Sequence, residues 1–441
     1  MAGSLGNGRT TLHPARTRRG ANERLTPGER QAKAQARRAG RWARRRQLQK
    51  ITGLRRVRNC GTVLDQDAGV TLAVTNNADG TRTAGFSGLA TCGSVWCCPQ
   101  CAAKIATRRA DELARVMRAV EERGGSAFLL TLTMRHARGD RLGLTGDERR
   151  RLSRLREKAA EYATANELGW DFDERQAEAD AIEEQTLRER RGCWDVLSDA
   201  WARVTSGAAW KADQELFGGL LGWARVVEVT DGGNGWHVHI HALLCFSDNV
   251  SADVVSASVG ARVFARWSNA LARAGFDASE EHGWDLRKVQ LGDGDLADYF
   301  TKIAHEVTGS HRKEGRRKGG RTPMQLLVDA IETYEESTLA RWWEWETASE
   351  NRRQLTWSTG ARDLRKLAGL VKDMTDEEIA SEDLPADEHL ALPADNWRSI
   401  VAGRWEAELL SKAENAPFHS IRNWILERTA GRGPLNKHRE E

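Results

Sequence analysis

The sequence predicts an α+β protein in which helices flank a central antiparallel sheet. Two observations predict this class. The chain has 441 residues, of which 40% are hydrophobic, so it is long enough for two or three domains with a real core. Segments with strand and helix periodicity alternate over residues 124–309 in the order β, α, ββ, α, β, α, which is typical of an antiparallel sheet with helices packed on it.

Residues 1–50 form a basic arm that we expect to be disordered without a partner. From Arg16 to Arg58 the chain has sixteen Lys and Arg against two acids, Glu23 and Glu29, although its net charge is only +4. This concentration of positive charge indicates a polyanionic partner, and nucleic acid is the first candidate. A solvated tail is the alternative that the composition leaves open.

Hydropathy and cysteine content indicate the compartment. The chain has no apolar run of the roughly 18 residues that cross a bilayer, and its first residues lack the apolar core of a signal peptide. We therefore expect a cytoplasmic protein without membrane contact. Because the cytosol keeps thiols reduced, the seven cysteines predict free thiols or metal ligands rather than disulfides.

Residues 51–123 are predicted to be a zinc-binding module that recognises DNA. The stretch "CGSVWCCPQC" contains Cys98 and Cys101, whose spacing suits two thiolate ligands of one zinc ion. Cys92 lies just before them, and Cys60 is the fourth candidate because a hairpin-like stretch would bring it to Cys92. Basic residues in "RVRN" and "KIATRR" lie around these cysteines and suit DNA binding. A redox switch of reactive thiols is the alternative.

The block 124–309 is predicted to be the central domain, followed over 310–441 by a basic linker and a helical C-terminal extension. Its elements are, in chain order, a strand over 124–136, a charged helical insertion over 140–190, a helix over 193–204, a β-hairpin with apolar runs 223–229 and 236–246, a helix over 251–275, a strand over 283–291 and a helix over 294–307. The Gly/Asn/Asp-rich turn between the two apolar runs predicts the hairpin.

Three histidines lie at alternate positions in the second strand of that hairpin, in "GWHVHIHALL". Alternate side chains of a strand face the same side, so His237, His239 and His241 share one face. Two imidazoles can hold one divalent cation, and Glu228 on the partner strand can reach the same face. Two imidazoles and a carboxylate, with other positions open, can hold a metal and a substrate oxygen together.

Other interpretations use the same histidines. They could form a structural metal site or a cluster on the surface. A two-histidine oxygenase site in a small all-β barrel is a rival metal site, but the helical content and the basic arm disfavour it. The spacing also leaves open whether Glu228 or His237 is the third ligand.

The motifs of the central domain resemble those of the HUH endonucleases, the family of rolling-circle replication initiators. "GWHVHIH" is similar to their histidine–hydrophobe–histidine motif, "FLLTLTMRH" to the strand motif that precedes it, and "DYFTKI" to their Tyr-x-x-Lys motif. The three motifs occur in the family's order. The resemblance extends to initiators of actinobacterial plasmids and integrative conjugative elements, covers about residues 50–380, and assigns Cys98 rather than Cys97 as a zinc ligand.

Tyr299 is the nucleophile that the resemblance implies, and the residues themselves favour it. Of the three tyrosines in the chain, Tyr162 lies in the charged insertion and Tyr334 in the C-terminal region. Tyr299 lies on a predicted helix with Lys302 one turn further on. A nearby ammonium group lowers the pKa of a phenol and stabilises charge on a phosphate. An amphipathic helix with the tyrosine in the core is the structural alternative.

The resemblance implies metal-assisted nicking of one DNA strand at a replication origin. The tyrosine would form a 5′-phosphotyrosine and leave a free 3′-OH for rolling-circle replication. Phosphate oxygens are hard ligands, so Mg²⁺ or Mn²⁺ is the expected ion. The cut would lie in single-stranded or hairpin-loop DNA, and the C-terminal extension would aid binding or recruit a host helicase.

A second cleavage, which ends a replication cycle, needs a further group. The motif "DYFTKI" has no second tyrosine, so a carboxylate that activates water is expected. Asp295 is the candidate because it lies four residues before Tyr299 and shares its helical face. A charge that favours the helix dipole is its alternative role.

Two other functions fit these motifs. A relaxase or transposase of the same fold would differ in its DNA partner rather than in its chemistry. A non-catalytic, zinc-dependent DNA-binding repressor would bind a structural metal with its histidines. Formation of a covalent DNA adduct separates the enzymes from the repressor.

Overall fold

The structure, a computed structural model, describes residues 26–78, 80–289, 320–370 and 372–429. The strands within these ranges are β1 Val70–Asn76, β2 Arg82–Ser87, β3 Ser126–Thr133, β4 Leu220–Gly232, β5 Gly235–Phe246, β6 Trp284–Lys288, β7 Leu355–Trp357 and β8 Glu388–Leu392. The described helices are α1 Pro27–Ile51, α2 Arg55–Arg58, α3 Pro99–Glu122, α4 Gly146–Leu168, α5 Glu174–Glu189, α6 Cys193–Val204, α7 Gly207–Gln214, α8 Ala252–Val255, α9 Ala261–Ala272, α10 Pro323–Thr333, α11 Glu336–Ser349, α12 Leu364–Leu367, α13 Asp376–Ser381, α14 Ala394–Gly403, α15 Glu406–Asn415 and α16 Phe418–Thr429. None of these helices is both long and apolar enough to cross a bilayer.

A five-stranded antiparallel sheet in the order β6-β3-β5-β4-β7 organises the central part of the chain. Strands β4 and β5 form the predicted hairpin, whose turn is Gly233 and Asn234. Gly235 closes the turn with φ +88°, a conformation that favours glycine. The predicted α+β class, with an antiparallel sheet and flanking helices, is therefore confirmed.

The two faces of this sheet pack against different helices. On one face, Ile240 and Leu244 of β5 are buried in one cluster with Trp194 of α6 and Trp267 of α9. On the other face, Leu243 is buried with apolar residues of α3. The three histidines continue this second face beyond the apolar cluster, because they alternate with the residues that point to α6 and α9. Strand β5, which carries the histidines, is therefore packed against α6 and α9 on its opposite face.

A second sheet, in the order β2-β1-β8, brings distant parts of the chain together. Strands β1 and β2 form the hairpin that was expected between Cys60 and Cys92. Strand β8 pairs with β1, so that Val70 lies opposite Leu392. The sequence predicts no strand in the acidic segment that contains β8. This strand has only five residues, and its partner is supplied by the fold rather than by neighbouring sequence.

Helix α1 occupies the second half of the N-terminal arm, for which the sequence predicted disorder. Arg38 donates two hydrogen bonds of 2.6 Å to the carboxylate of Glu414, and Arg46 pairs with Glu406 at 2.9 Å. Trp42 is buried in the core of the second sheet. The expectation of disorder does not hold for this helix, because its partner carboxylates lie 376 and 360 residues further along the chain. Local composition cannot show such partners.

The charged insertion is a helical hairpin of α4 and α5. Gly169, with φ +67°, ends α4 and allows the chain to reverse. At the base of the hairpin, Leu152 and Leu155 of α4 are buried with Leu187 of α5. This confirms the helical character that the sequence predicted for the insertion.

Candidate metal centres

The β4–β5 hairpin brings two of the three histidines to Glu228. His239 lies directly opposite Glu228 on β4, and His241 lies opposite Val226. Directly opposed residues of an antiparallel pair point to the same face, so the carboxylate lies beside both rings. On the other side of β5, His241 lies opposite Thr131 of β3. The site therefore rests on three neighbouring central strands of the sheet.

The ligand atoms of this group converge on one point. The Nε2 atoms of His239 and His241 each lie 3.2 Å from the same carboxylate oxygen, Oε2 of Glu228. The Nδ1 atom of His241 lies 3.0 Å from the hydroxyl of Thr131, which orients that ring. One ligand atom from each of Glu228, His239 and His241 lies within 4.8 Å of the others, a spacing that can hold a metal ion.

The charges of the group also suit a divalent cation. Burial raises the pKa of Glu228, but hydrogen bonds from His239 and His241 outweigh it and hold this pKa below its ordinary value. Burial lowers the pKa of His241. At neutral pH the group therefore offers an ionised carboxylate and a neutral imidazole. The Nδ1 atom of His239 is buried and has no hydrogen-bond partner in the described chain. This donor set fits a metal ion.

His237 is held apart from this group by a residue that the sequence analysis missed. Its Nδ1 atom lies 3.1 Å from Nε2 of His136, and Nδ1 of His136 lies 2.9 Å from the carbonyl oxygen of Asn234. A carbonyl only accepts, so Nδ1 of His136 carries a proton, and Nε2 of His136 and Nδ1 of His237 share the second hydrogen bond. Burial lowers the pKa of His237 to about 4. His136 is the last residue of the stretch "FLLTLTMRH", so this motif contained the signal that could have identified it as a residue near the site.

The remaining predicted residues of this site, Tyr299, Lys302 and Asp295, lie outside the described residues. The chain that borders their segment is attached to the sheet at both ends. Before it, the backbone N–H of Val289 donates to the carbonyl of Ala127 at 2.8 Å. After it, Gly320 lies against Thr230, the residue opposite His237.

A buried network of ion pairs attaches Arg321, the residue after Gly320, to the tip of the β4–β5 hairpin. Asp231, which is 5% exposed, accepts from Arg321 at 2.6 Å and from Arg341 at 3.0 Å. The backbones of Asp231 and Arg321 also pair as a β-bridge. Arg341 in turn donates to Glu344 at 2.8 Å. The network thus ties α10 and α11 to the strand that carries Glu228.

We expect Asp231→Asn to lower the free energy of unfolding by about 3 kcal/mol, because it leaves two arginines without their shared buried carboxylate. The midpoint of urea unfolding measures this change. Asp329→Asn is the matched control, since Asp329 is more exposed and its carboxylate pairs with one arginine, Arg321, at 3.1 Å among the described residues. Asp329→Asn should lower the free energy of unfolding by less than about 1 kcal/mol. Equal effects of the two changes would contradict the assignment of Asp231 as the centre of the network.

Four cysteines form a second centre, at the start of α3. The sulfurs of Cys60 and Cys98 lie 3.7 Å apart, those of Cys60 and Cys101 also 3.7 Å, and those of Cys92 and Cys101 3.6 Å. Four sulfurs at about 2.3 Å from a zinc ion form a tetrahedron with edges of about 3.8 Å. All four residues are buried, and hydrogen bonds from the other three thiols lower the pKa of Cys60. The group fits zinc and consists of the four predicted cysteines.

The other three cysteines lie outside this tetrahedron. Cys97 is adjacent in sequence, but its thiol lies 3.6 Å from the hydroxyl of Ser349. Burial raises the pKa of Cys97, Cys193 and Cys245 to about 12, so these thiols stay protonated. Cys193 and Cys245 belong to the apolar clusters on the two faces of the central sheet.

Known proteins similar to this chain come from Streptomyces. A protein named "Protein rep" from Streptomyces lividans is 26% identical in an alignment of 404 positions that covers 80% of each chain. A protein named "Neomycin resistance protein" from Streptomyces cyanogenus is 34% identical in an alignment of 191 positions that covers 41% of this chain and 35% of that protein. No family model and no solved structure matches the chain. The chain is therefore similar to the first protein over most of its length and to the second over a limited part.

Proposed function

We propose that the protein is a plasmid replication initiator that nicks one DNA strand at an origin. The observation that carries the proposal is the group of Glu228, His239 and His241 on central strands of an antiparallel sheet, in a chain similar to Protein rep over 80% of its length. The order of its sequence motifs supports an HUH-endonuclease fold for the central domain, residues 124–309. The similarity to the neomycin resistance protein covers about a third of that protein and adds no second function.

The three residues Glu228, His239 and His241 would hold Mg²⁺ or Mn²⁺, which supplies Lewis-acid polarisation of a phosphate when bound. Glu228 contributes the negative charge, and the two neutral rings contribute lone pairs. Packing of the other face of β5 against α6 and α9, together with the hydrogen bond between Thr131 and His241, keeps these side chains in place. In this proposal Glu228, rather than His237, is the third ligand, because it contacts both rings.

Tyr299 is the proposed nucleophile. Its phenol oxygen bonds to phosphorus, the bond from phosphorus to the 3′-oxygen breaks, and the proton that the phenol loses is balanced by the proton that the departing 3′-oxygen gains. The products are a 5′-phosphotyrosine and a strand with a free 3′-OH that can prime synthesis. Lys302 would favour the ionised phenol, and Asp295 would activate water for the second cleavage.

The remaining regions would bind the origin. The Cys60, Cys92, Cys98 and Cys101 group would hold structural zinc in a module over residues 51–123. Basic residues on α1, which precedes this module, and on α2, which lies within it, suit contact with phosphates. Residues 310–441 would aid binding or contact a host helicase.

Tyr299→Phe tests the proposal, because it removes only the attacking oxygen. The purified protein is incubated with Mn²⁺ and a labelled single-stranded origin oligonucleotide, and the covalent adduct is measured on a denaturing gel. We expect an adduct with the unmodified protein, none with Tyr299→Phe, and a normal amount with Tyr334→Phe, whose side chain is exposed. An adduct that persists in Tyr299→Phe would exclude this nucleophile. Tight binding without adduct in any divalent metal would favour the repressor instead.

A further inference from the structure

One arginine of the central sheet lies on the face opposite the candidate metal centre. Arg225 of β4 comes three residues before Glu228, so its side chain points to the other side of the sheet. It lies directly opposite Ala242 of β5 and Thr356 of β7. Its Nε and Nη1 atoms are fully buried, and neither has a hydrogen-bond partner in the described chain.

Several other poorly exposed arginines of the described chain have acceptors for their guanidinium groups. Arg352 pairs with Asp195, and Arg266 pairs with Asp213 at 2.5 Å. Arg149 has no carboxylate but donates to three backbone carbonyls. Arg225 has neither kind of partner among the residues that the structure describes. A buried cation without an acceptor costs free energy, and proteins rarely keep one without a use.

The surroundings of Arg225 increase that cost. Burial and, second, the positive charge of Arg352 lower the pKa of Arg225 to about 10. Even so, the guanidinium remains charged at neutral pH. A negatively charged ligand beside Arg225 would compensate for both the burial and the repulsion.

Neighbouring groups on this face are small or are donors. Ala242, which lies directly opposite Arg225, has no polar side-chain atom that could accept from the guanidinium. Trp201 of α6 has a buried indole N–H with no acceptor in the described chain. Its ring lies 5.2 Å from that of Trp223, which precedes Arg225 on the same face of β4. Unpaired donors without an ion-pairing carboxylate favour a ligand that only accepts.

We propose that Arg225 is the centre of a phosphate-binding site on the face of the sheet opposite the candidate metal centre. A planar guanidinium can donate two parallel hydrogen bonds to the oxygens of a phosphate group. The same chemistry would bind free inorganic phosphate or a single phosphodiester group of a DNA strand. The site does not depend on the proposed nicking activity.

Thermal unfolding with inorganic phosphate tests the site. The full-length protein is unfolded at constant ionic strength without added divalent metal, so that phosphate does not bind through a cation near Glu228. We expect the Tm to rise by about 1 to 2 °C for each tenfold increase of phosphate above its Kd. Arg225→Met should abolish this rise. Arg266→Met, which breaks the contact with Asp213, is the matched control and should keep the rise from a lower starting Tm.

The Tm without phosphate separates a binding role from a structural role. Arg225→Met replaces an uncompensated buried cation by an apolar side chain of similar length, so its Tm should equal or exceed that of the unmodified protein. A structural arginine would give a lower Tm. If Arg225→Met does not fold, Arg225→Gln and the ³¹P line width of inorganic phosphate give the same comparison. A phosphate response that is absent from the unmodified protein, or unchanged in the Arg225 variants, would overturn the proposal.

A single-stranded oligonucleotide distinguishes the two sources of phosphate. If a DNA phosphodiester occupies the site, a saturating oligonucleotide should suppress the response to inorganic phosphate, and Arg225→Met should weaken oligonucleotide binding several-fold. If free phosphate is the ligand, the response should persist in the presence of the oligonucleotide. Both results support the site and identify its ligand.

Discussion

Replacement of His239 by alanine is expected to lower the rate of DNA strand cleavage about 1,000-fold, because polarisation of the phosphate contributes several kcal/mol to such reactions. The imidazole of His239 lies 3.2 Å from Glu228 and supplies one of the three ligand atoms. In the proposed function, basic surfaces outside this group contact the DNA, so binding of the oligonucleotide should remain nearly unchanged. Single-turnover cleavage and an electrophoretic binding assay measure the two quantities separately.

Two other histidines serve as comparisons for this result. His282 is exposed on the loop before β6, and its replacement by alanine should leave cleavage unchanged. His237→Ala should lower cleavage much less than His239→Ala, because His237 is hydrogen-bonded to His136 outside the group of three. Cleavage that survives in His239→Ala would show that the metal centre is misassigned. Equal decreases of the cleavage rate in His237→Ala and His239→Ala would indicate that His237 is also a metal ligand.

Cys98→Ser is expected to release zinc and to lower the free energy of unfolding by roughly 5 kcal/mol or more, since structural zinc sites contribute directly to folding. The sulfur of Cys98 lies 3.7 Å from that of Cys60, and both residues are buried. Loss of one thiolate would leave the other three crowded and only partly neutralised. The start of α3 and the turn after α2 would then separate, and the support of the second sheet would weaken.

Metal content and thermal unfolding test this expectation. The unmodified protein should contain one zinc ion per chain, and Cys98→Ser should contain none. Cys97→Ala is the matched control, because Cys97 is the neighbouring buried cysteine and its thiol contacts Ser349 instead. It should retain zinc and lose only the stability of a small packing change. Zinc loss in Cys97→Ala with retention in Cys98→Ser would reverse the assignment.

Much of the fold could be predicted because its signals are local. The alternation of histidines with apolar residues in β5 determines which residues face Trp194 and which face Glu228. The helical spacing of apolar residues over 193–204 predicted α6 to the residue. The Cys-x-x-Cys pair and the hairpin before it similarly predicted the four sulfurs that converge.

Other features depend on residues that are far apart in the chain. His136 reaches His237 only because β3 lies beside β5. The spacing alone could not decide between Glu228 and His237, because a shift of one residue in the hairpin register would turn Glu228 to the other face. Arg225 looks like any strand residue until its lack of a partner is seen in three dimensions.

The sequence by itself determined the local elements, the face of β5 that carries the histidines and the identity of the four clustered cysteines. Periodicity and ligand spacing are properties of neighbouring residues, so they can be read without a fold. Only the tertiary structure decided that α1 is docked through Arg38 and Glu414, that β8 completes the second sheet and that Glu228 joins His239 and His241. Each of these depends on contacts or on a strand register that folding alone establishes.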